Sequence, residues 1–225
     1  MNKIKILFLT ILVLFYYTGK GQHNGVIEYK YRSYGKYETN MKLLIKDGKS
    51  KFIFHKDPKI MNNEDIKLYH YYEHFESFYD FSTQKITEQR ITEDNTVLLS
   101  EWISTLNWEI TDETQEILGY TVRKAIAPSY EFESKSELAH GYAIAWFTTE
   151  IPIPSGPERY VGLPGLILKL EFDKGIFVDY TCTLIDLNQN PDFSIPADGI
   201  KVTREEIFQP SRIDKKWLKT QKELQ

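Results

Sequence analysis

Apolar and polar residues alternate with a period of two along most of this chain, the signature of strands with one face on a core and one in water. Residues 26–31 (Val-Ile-Glu-Tyr-Lys-Tyr) form the first such run, 40–46 the second and 51–55 the third. Asp47-Gly48, between the second and third, has the composition of a hairpin turn. Residues 55–66 are polar and hold Pro58 and Asn62-Asn63, which predicts a loop. Residues 75–81 and 85–91 predict a hairpin around Ser82-Thr83-Gln84, and alternation continues through 96–103, 108–111, 117–127 and 141–149.

Residues 151–157 (Ile-Pro-Ile-Pro-Ser-Gly-Pro) interrupt this pattern. Three prolines and a glycine exclude a helix or a central strand and predict a rigid, extended crossing segment. The clearest hairpin comes next, from 166–173 and 176–187 with Asp173-Lys174-Gly175 as its turn. Alternation points Leu166, Leu168, Leu170 and Phe172 one way, and Ile167, Lys169, Glu171 and Asp173 the other. At the C-terminus the period lengthens. Thr203 and Glu206 fit a capping box, Pro210 interrupts, and Ser211 can cap a second helix carrying Ile213, Trp217, Leu218 and Leu224. The simplest reading lays that helix on the sheet; a docking helix for a partner is the alternative. The expected fold is mainly β: a single antiparallel, curved sheet, half-barrel-like, with a C-terminal helix.

The N-terminus has a different character. A basic start (Met1-Asn2-Lys3-Ile4-Lys5) precedes the uncharged apolar run 6–17 and the small, polar stretch Thr18-Gly19-Lys20-Gly21-Gln22. The run of about 12 residues suits the core of a signal peptide and falls short of the ~20 needed to span a bilayer. We read residues 1–21 as a cleavable secretory signal, with Gln22 as the new N-terminus, and 22–225 as a single β-rich domain. No cysteine lies near the cut for lipid attachment, and the expected product is a soluble periplasmic or extracellular protein with no stable membrane anchor. Lys3, Lys5 and Lys20 leave with the signal. Of 28 basic residues 25 stay, against 32 acidic ones, a net charge of −7. That balance argues against nucleic acid as a partner. The single cysteine, Cys182, excludes an intramolecular disulfide, and strand spacing puts it on one face with Val178, Tyr180 and Leu184 as a buried, inert thiol.

Gly162-Leu163-Pro164-Gly165-Leu166-Ile167 resembles the motif that names the GLPGLI family of exported Gram-negative envelope proteins. Ala145-Trp146-Phe147, Glu150-Ile151-Pro152-Ile153 and Gly156-Pro157 resemble the family's stretch upstream, and Gly119-Tyr120 with Lys124-Ala125 an earlier element. Val122 stands where the family often has a cysteine. The resemblance implies export and a β-rich fold; the family is largely uncharacterised and supplies no catalytic residue. Physically, Gly162 and Gly165 admit backbone angles closed to other residues, and Pro164 stiffens the turn. The motif reads as a structural turn that launches the strand at Leu166.

Candidate chemistry is sparse. His70-Tyr71-Tyr72-Glu73-His74 fits H-x-x-E-H, in which two histidines one helical turn apart hold zinc and the glutamate acts as base. On a strand, which Tyr and Phe favour, the two histidines stand about 13 Å apart at ~3.3 Å per residue, too far for one metal. We assign no metal and no cofactor on this basis. His23, His55 and His140 are isolated, and G-x-S-x-G and phosphate-cradling loops are absent. Trp102, Trp108, Trp146 and Trp217 read as core or rim. Three functions stand in order: a non-catalytic binding or carrier module for an apolar ligand or envelope component, a protein–protein module of the envelope, and a metal-dependent hydrolase using His70, Glu73 and His74.

Overall fold

The computed structural model describes residues 24–33, 37–55, 74–92, 95–129, 141–173, 178–208 and 220–221. The signal segment, the loop at 56–66, the Lys174-Gly175 part of the last turn and all but residues 220–221 of the helix expected from Ser211 lie outside the described residues.

Among the described residues twelve strands form one sheet: β1 (Gly25–Ser33), β2 (Tyr37–Lys46), β3 (Lys49–His55), β4 (His74–Asp80), β5 (Lys85–Ile91), β6 (Val97–Ile103), β7 (Glu109–Ile117), β8 (Tyr120–Pro128), β9 (Tyr142–Thr148), β10 (Leu166–Phe172), β11 (Val178–Asp186) and β12 (Ile200–Lys201). Their order is β12-β6-β5-β4-β3-β2-β1-β11-β10-β9-β8-β7, antiparallel except for β12 on β6. A short helix, α1 (Arg204–Phe208), follows. The mainly β architecture is the one the alternation predicts, and the sheet is open rather than closed into a barrel. No helix among the described residues is long and apolar enough to cross a membrane.

The curvature is a consequence of chain length. β6 and β7 are consecutive in sequence yet have nine strands between them in the sheet. Laid flat they stand about 48 Å apart at ~4.8 Å per strand. Residues 104–108 are the only link, and six peptide steps reach at most about 22 Å. The sheet therefore curls until its two ends nearly meet.

The inner face carries the core: Ile27, Tyr29, Met41, Leu43, Phe52, Phe54, Ala143, Ala145, Phe147, Leu170 and Tyr180 are all buried. Residues 149–165 cross this face as the extended segment that the prolines predict. Ile151, Ile153, Tyr160 and Leu163 are buried in it, and Ser155 bonds Ser50 at 2.7 Å. The outer face is charged, with cross-strand pairs Lys30–Glu38, Arg32–Asp179, Lys42–Glu28 and Lys51–Glu76. The connection from β11 to β12 runs over it, pairing Asp192 with Lys46 and Phe193 with Phe78.

Two predicted faces change phase at bulges. In β10 the pairing steps from Ile167↔Phe147 to Lys169↔Trp146, so Leu168 is an extra residue. Ladder partners share a face, which puts Ile167 with Leu170 rather than opposite it. Ile167 is fully buried, and the predicted strict alternation of this strand is corrected accordingly. In β11 the register shifts between Glu28 and Tyr29 of its partner β1, with Thr183 as the extra residue. Cys182 and Tyr180 stay buried as expected, but Leu184 turns outward and is 45% exposed. Burial pushes the Cys182 thiol up to about 12, the inert state that the sequence suggests.

The predicted capping box is present: Thr203 N–H donates to the Glu206 carboxylate at 2.8 Å, and Glu206 N–H to Thr203 Oγ1 at 3.2 Å. It starts α1 so that Ile207 is fully buried against Leu98 and Ile200.

Candidate functional site

The Gly162–Ile167 segment ends the crossing and enters β10. Gly162 has φ +91°, a left-handed conformation that side chains disfavour. Gly165 is required for a different reason. A Cβ there overlaps the carbonyl oxygen of Thr148 and stands 2.6 Å from its carbon and 3.1 Å from Thr149 Cα. The expectation that both glycines serve unusual angles holds for Gly162 only. Leu163, Leu166 and Ile167 are buried, Leu166 N–H donates to Ile151 O at 3.0 Å, and Ile167 N–H donates to Ser155 O at 3.0 Å. The motif thus clamps the crossing segment to the sheet edge from which β10 begins.

Just before it, the crossing segment carries charge into the interior. Arg159 is 2% exposed; its Nη1 donates to Glu158 Oε2 at 3.2 Å, and the Tyr180 hydroxyl donates to Glu158 Oε1. Glu158 holds φ +54°, strained for a non-glycine residue.

Facing this segment is the inner surface of β4, β5 and β6. Ser77, Glu88 and Ser100 are direct ladder partners and lie in one row. Ile86 and Arg90 flank Glu88 along β5, while Trp102 and Leu98 stand opposite them on β6. Glu88 is fully buried. Arg90 Nε donates to Glu88 Oε1 at 2.6 Å and its Nη2 pairs with the same oxygen. Glu88 Oε2, Ser77 Oγ and Trp102 Nε1 are buried without a hydrogen-bond partner. Such atoms are few in native proteins and each calls for a cause.

Phe208 of α1 closes this patch. Its ring lies 4.8 Å from the Arg90 guanidinium, 4.4 Å from that of Arg159 and 5.8 Å from the Trp102 ring. Arg90 and Trp102 are diagonal neighbours about the Glu88–Ser100 pair, so Phe208 spans that pair. The Phe75 ring also lies against Arg90, 4.9 Å from its guanidinium. The result is a polar row roofed and walled by aromatic rings.

Of the histidine pattern, only His74 is among the described residues. His74 opens β4 with His55 and Ile91 as its Cα ladder partners; His70 and Glu73 lie outside the described residues. Among the described residues no group of three His, Cys, Asp or Glu is placed to hold a metal ion. Trp108 and Trp146 are tied down, their Nε1 donating to Val161 O at 2.9 Å and Glu171 Oε1 at 3.2 Å; Trp217 lies outside the described residues. Sequence reasoning missed Ser77, Glu88, Arg90 and Arg159. The one available signal was period two in β5, which puts Glu88 and Arg90 on the same face as Ile86.

Residues 129–169, which include Gly162–Ile167, match a family described as "Protein of unknown function (Porph_ging)". No curated protein matches the chain. Among solved structures, PNGF-II in its P21 and C2 space groups is similar, with TM-score 0.58 in both and identities of 16% and 17%. The matches cover 82% and 84% of this chain but 32% and 33% of the PNGF-II chain, so this protein spans about a third of its length. An uncharacterised conserved protein from Thermus thermophilus matches at TM-score 0.43 and 10% identity, over 82% of this chain and 92% of that one. At these identities the likeness to PNGF-II is one of fold: the curved sheet recurs there as one part of a longer chain.

Proposed function

We propose that this protein is an exported, non-catalytic binding module of the Gram-negative envelope, belonging to the GLPGLI family, that takes an envelope component on the inner face of its sheet. The observation that carries this reading is the buried row of Glu88 and Ser77, with polar atoms unpartnered, among Phe75, Trp102 and Phe208. Binding sites mix apolar walls with a few convergent polar groups in this way. The remainder of the inner face is filled by Ile151, Ile153, Tyr160 and Leu163 of the crossing segment, so we place the ligand's apolar part against the three aromatic rings.

The test is expression of the full chain in a Gram-negative host, with cell fractionation and mass spectrometry under denaturing and native conditions. The expected product is periplasmic, begins at Gln22, and carries or takes up a small molecule from envelope extract that Ser77→Ala weakens. A wild-type protein that neither retains nor gains a ligand, and whose melting temperature envelope extract leaves unchanged, would sink the reading.

A second reading, the envelope interaction module, draws on β7. Among the described residues its nine-residue length pairs only with β8, leaving a strand edge that another chain can extend. A photocrosslinker at Gln115 is the direct test. It traps a partner protein in cells on this reading and nothing on the first.

A further inference from the structure

We infer that β12 and α1 form a lid over the Glu88 row, and that the ligand admitted is an uncharged group with a hydrogen-bond donor beside an acceptor: a primary amide or neighbouring hydroxyls. The inference rests on the binding site just proposed and adds its gate and its ligand chemistry.

Among the described residues this unit is held by short pairing, a small apolar cluster and the Phe208 and Arg204 contacts to the Trp102 ring. β12 makes two parallel ladder pairs, Ile200↔Leu98 and Lys201↔Leu99, and Val202 N–H adds one hydrogen bond to Leu99 O at 2.9 Å. Leu98, Ile200 and Ile207, with Val202 and Phe208 against them, form a small apolar cluster separate from the main core. Units with few buried contacts and short pairing open at far lower free energy than the fold as a whole. Docked, this unit leaves Glu88 Oε2, Ser77 Oγ and Trp102 Nε1 both out of water and without partners. The closed state therefore carries an electrostatic penalty that opening relieves, and a ligand with the right groups relieves it further.

The ligand chemistry comes from the atoms. A carboxylate oxygen only accepts and an indole N–H only donates, while a hydroxyl does either. A ligand satisfying Glu88 Oε2 and Trp102 Nε1 together must donate and accept. A carboxylate offers Glu88 Oε2 no donor and an ammonium offers Trp102 Nε1 no acceptor, so an uncharged group that does both fits the pair.

The experiment tracks the Trp102 indole N–H resonance of the full chain during titration with acetamide and, separately, with ethylene glycol; acetate is the charged control. Where the binding-competent state is a minor one, apparent affinity falls by its population. Phe208→Ala, which removes the roof, is expected to tighten probe binding at least about tenfold over wild type. Ser77→Ala in that background abolishes it, and acetate does not bind. Phe208→Leu keeps part of the contact and serves where the alanine variant unfolds; its affinity falls between the two. In wild type, the probe also speeds hydrogen exchange at the Val202 and Ile207 amides, because it binds the open form. Equal probe affinity in wild type and both Phe208 variants overturns the lid and leaves the site standing. Binding by none of them, with the variants folded, overturns both.

Discussion

Gly165→Ala places one methyl group where the backbone of β9 already stands. The new Cβ is 2.6 Å from the Thr148 carbonyl carbon, against the ~3.5 Å at which carbon atoms sit comfortably, so the strands must part by about 1 Å. Thr148 is the ladder partner of Leu166, and Leu166 N–H bonds Ile151 O next to it. Parting the strands there loses about two backbone hydrogen bonds, about 1 kcal/mol each. Overpacking strain adds about 1–3 kcal/mol, for a total of about 3–5 kcal/mol. Gly162→Ala is the internal control. Its Cβ meets nothing within 4 Å, and it carries only the cost of φ +91°, about 1–2 kcal/mol. Urea unfolding monitored by tryptophan fluorescence reads both. With a slope of about 3 kcal/mol per M, Gly165→Ala lowers the midpoint by about 1–1.7 M and Gly162→Ala by less than about 0.7 M. If Gly165→Ala unfolds at the wild-type midpoint, or later than Gly162→Ala, the close approach of Thr148 does not explain the glycine.

Leu118 sits at φ +52° in the β7–β8 turn and is 50% exposed, so Leu118→Asn should stabilise the protein by about 1 kcal/mol, seen as a higher melting temperature; a lower one contradicts the turn assignment. The Cys182 thiol, raised to about 12 by burial, keeps its proton in the folded state above the pH where an unfolded thiol loses it. Its stabilising contribution is thus full below about pH 9 and is lost as pH rises towards 12. Unfolding free energies across pH 8–10.5 show that decline, Cys182→Ser flattens it, and Ellman's reagent labels the wild-type thiol only in urea. Glu88→Ala leaves Arg90 buried beside a missing partner and should cost about 3–5 kcal/mol in urea unfolding, whereas Glu88→Leu with Arg90→Met costs less than the single change; a larger loss in the double variant would overturn this. On the outer face, Arg32→Ala removes a half-exposed pair with Asp179 and should shift stability by less than about 1 kcal/mol.

The elements were legible because local chemistry specifies them. Asp47-Gly48 turns the chain with φ of 52° and 72°, Thr203 and Glu206 cap α1 as their spacing requires, and three prolines keep 151–157 out of the sheet. The missed hairpin at Leu118-Gly119 fails for the same reason in reverse, since leucine contradicts the turn it occupies. Faces were less legible than elements. Period two assigns a side chain to a face only while pairing stays in phase, and one inserted residue flips every later position of the strand. Thr183 and Leu168 are ordinary strand residues, and nothing in their identity marks them as the extra ones. Their effect is fixed by the register of β1 and β9, far away in sequence.

The candidate site was hidden by a longer-range cause. Glu88 and Arg90 read as two more charged residues on a polar strand, like Glu28 and Lys30 on the outer face of β1. The difference between the two cases is which side of the sheet is concave at β5. That depends on residues 104–108 joining strands at opposite ends of the sheet, which forces the curl, and on the crossing segment filling the interior it makes. A charged pair inside such a curl loses its water. It must then be stabilised by partners of its own: Arg90 by Phe75 and Phe208, Glu158 by Tyr180 and Arg159. Glu88 Oε2 is a carboxylate oxygen of this set that the described chain does not satisfy, and for that reason it is one place where a ligand is to be sought.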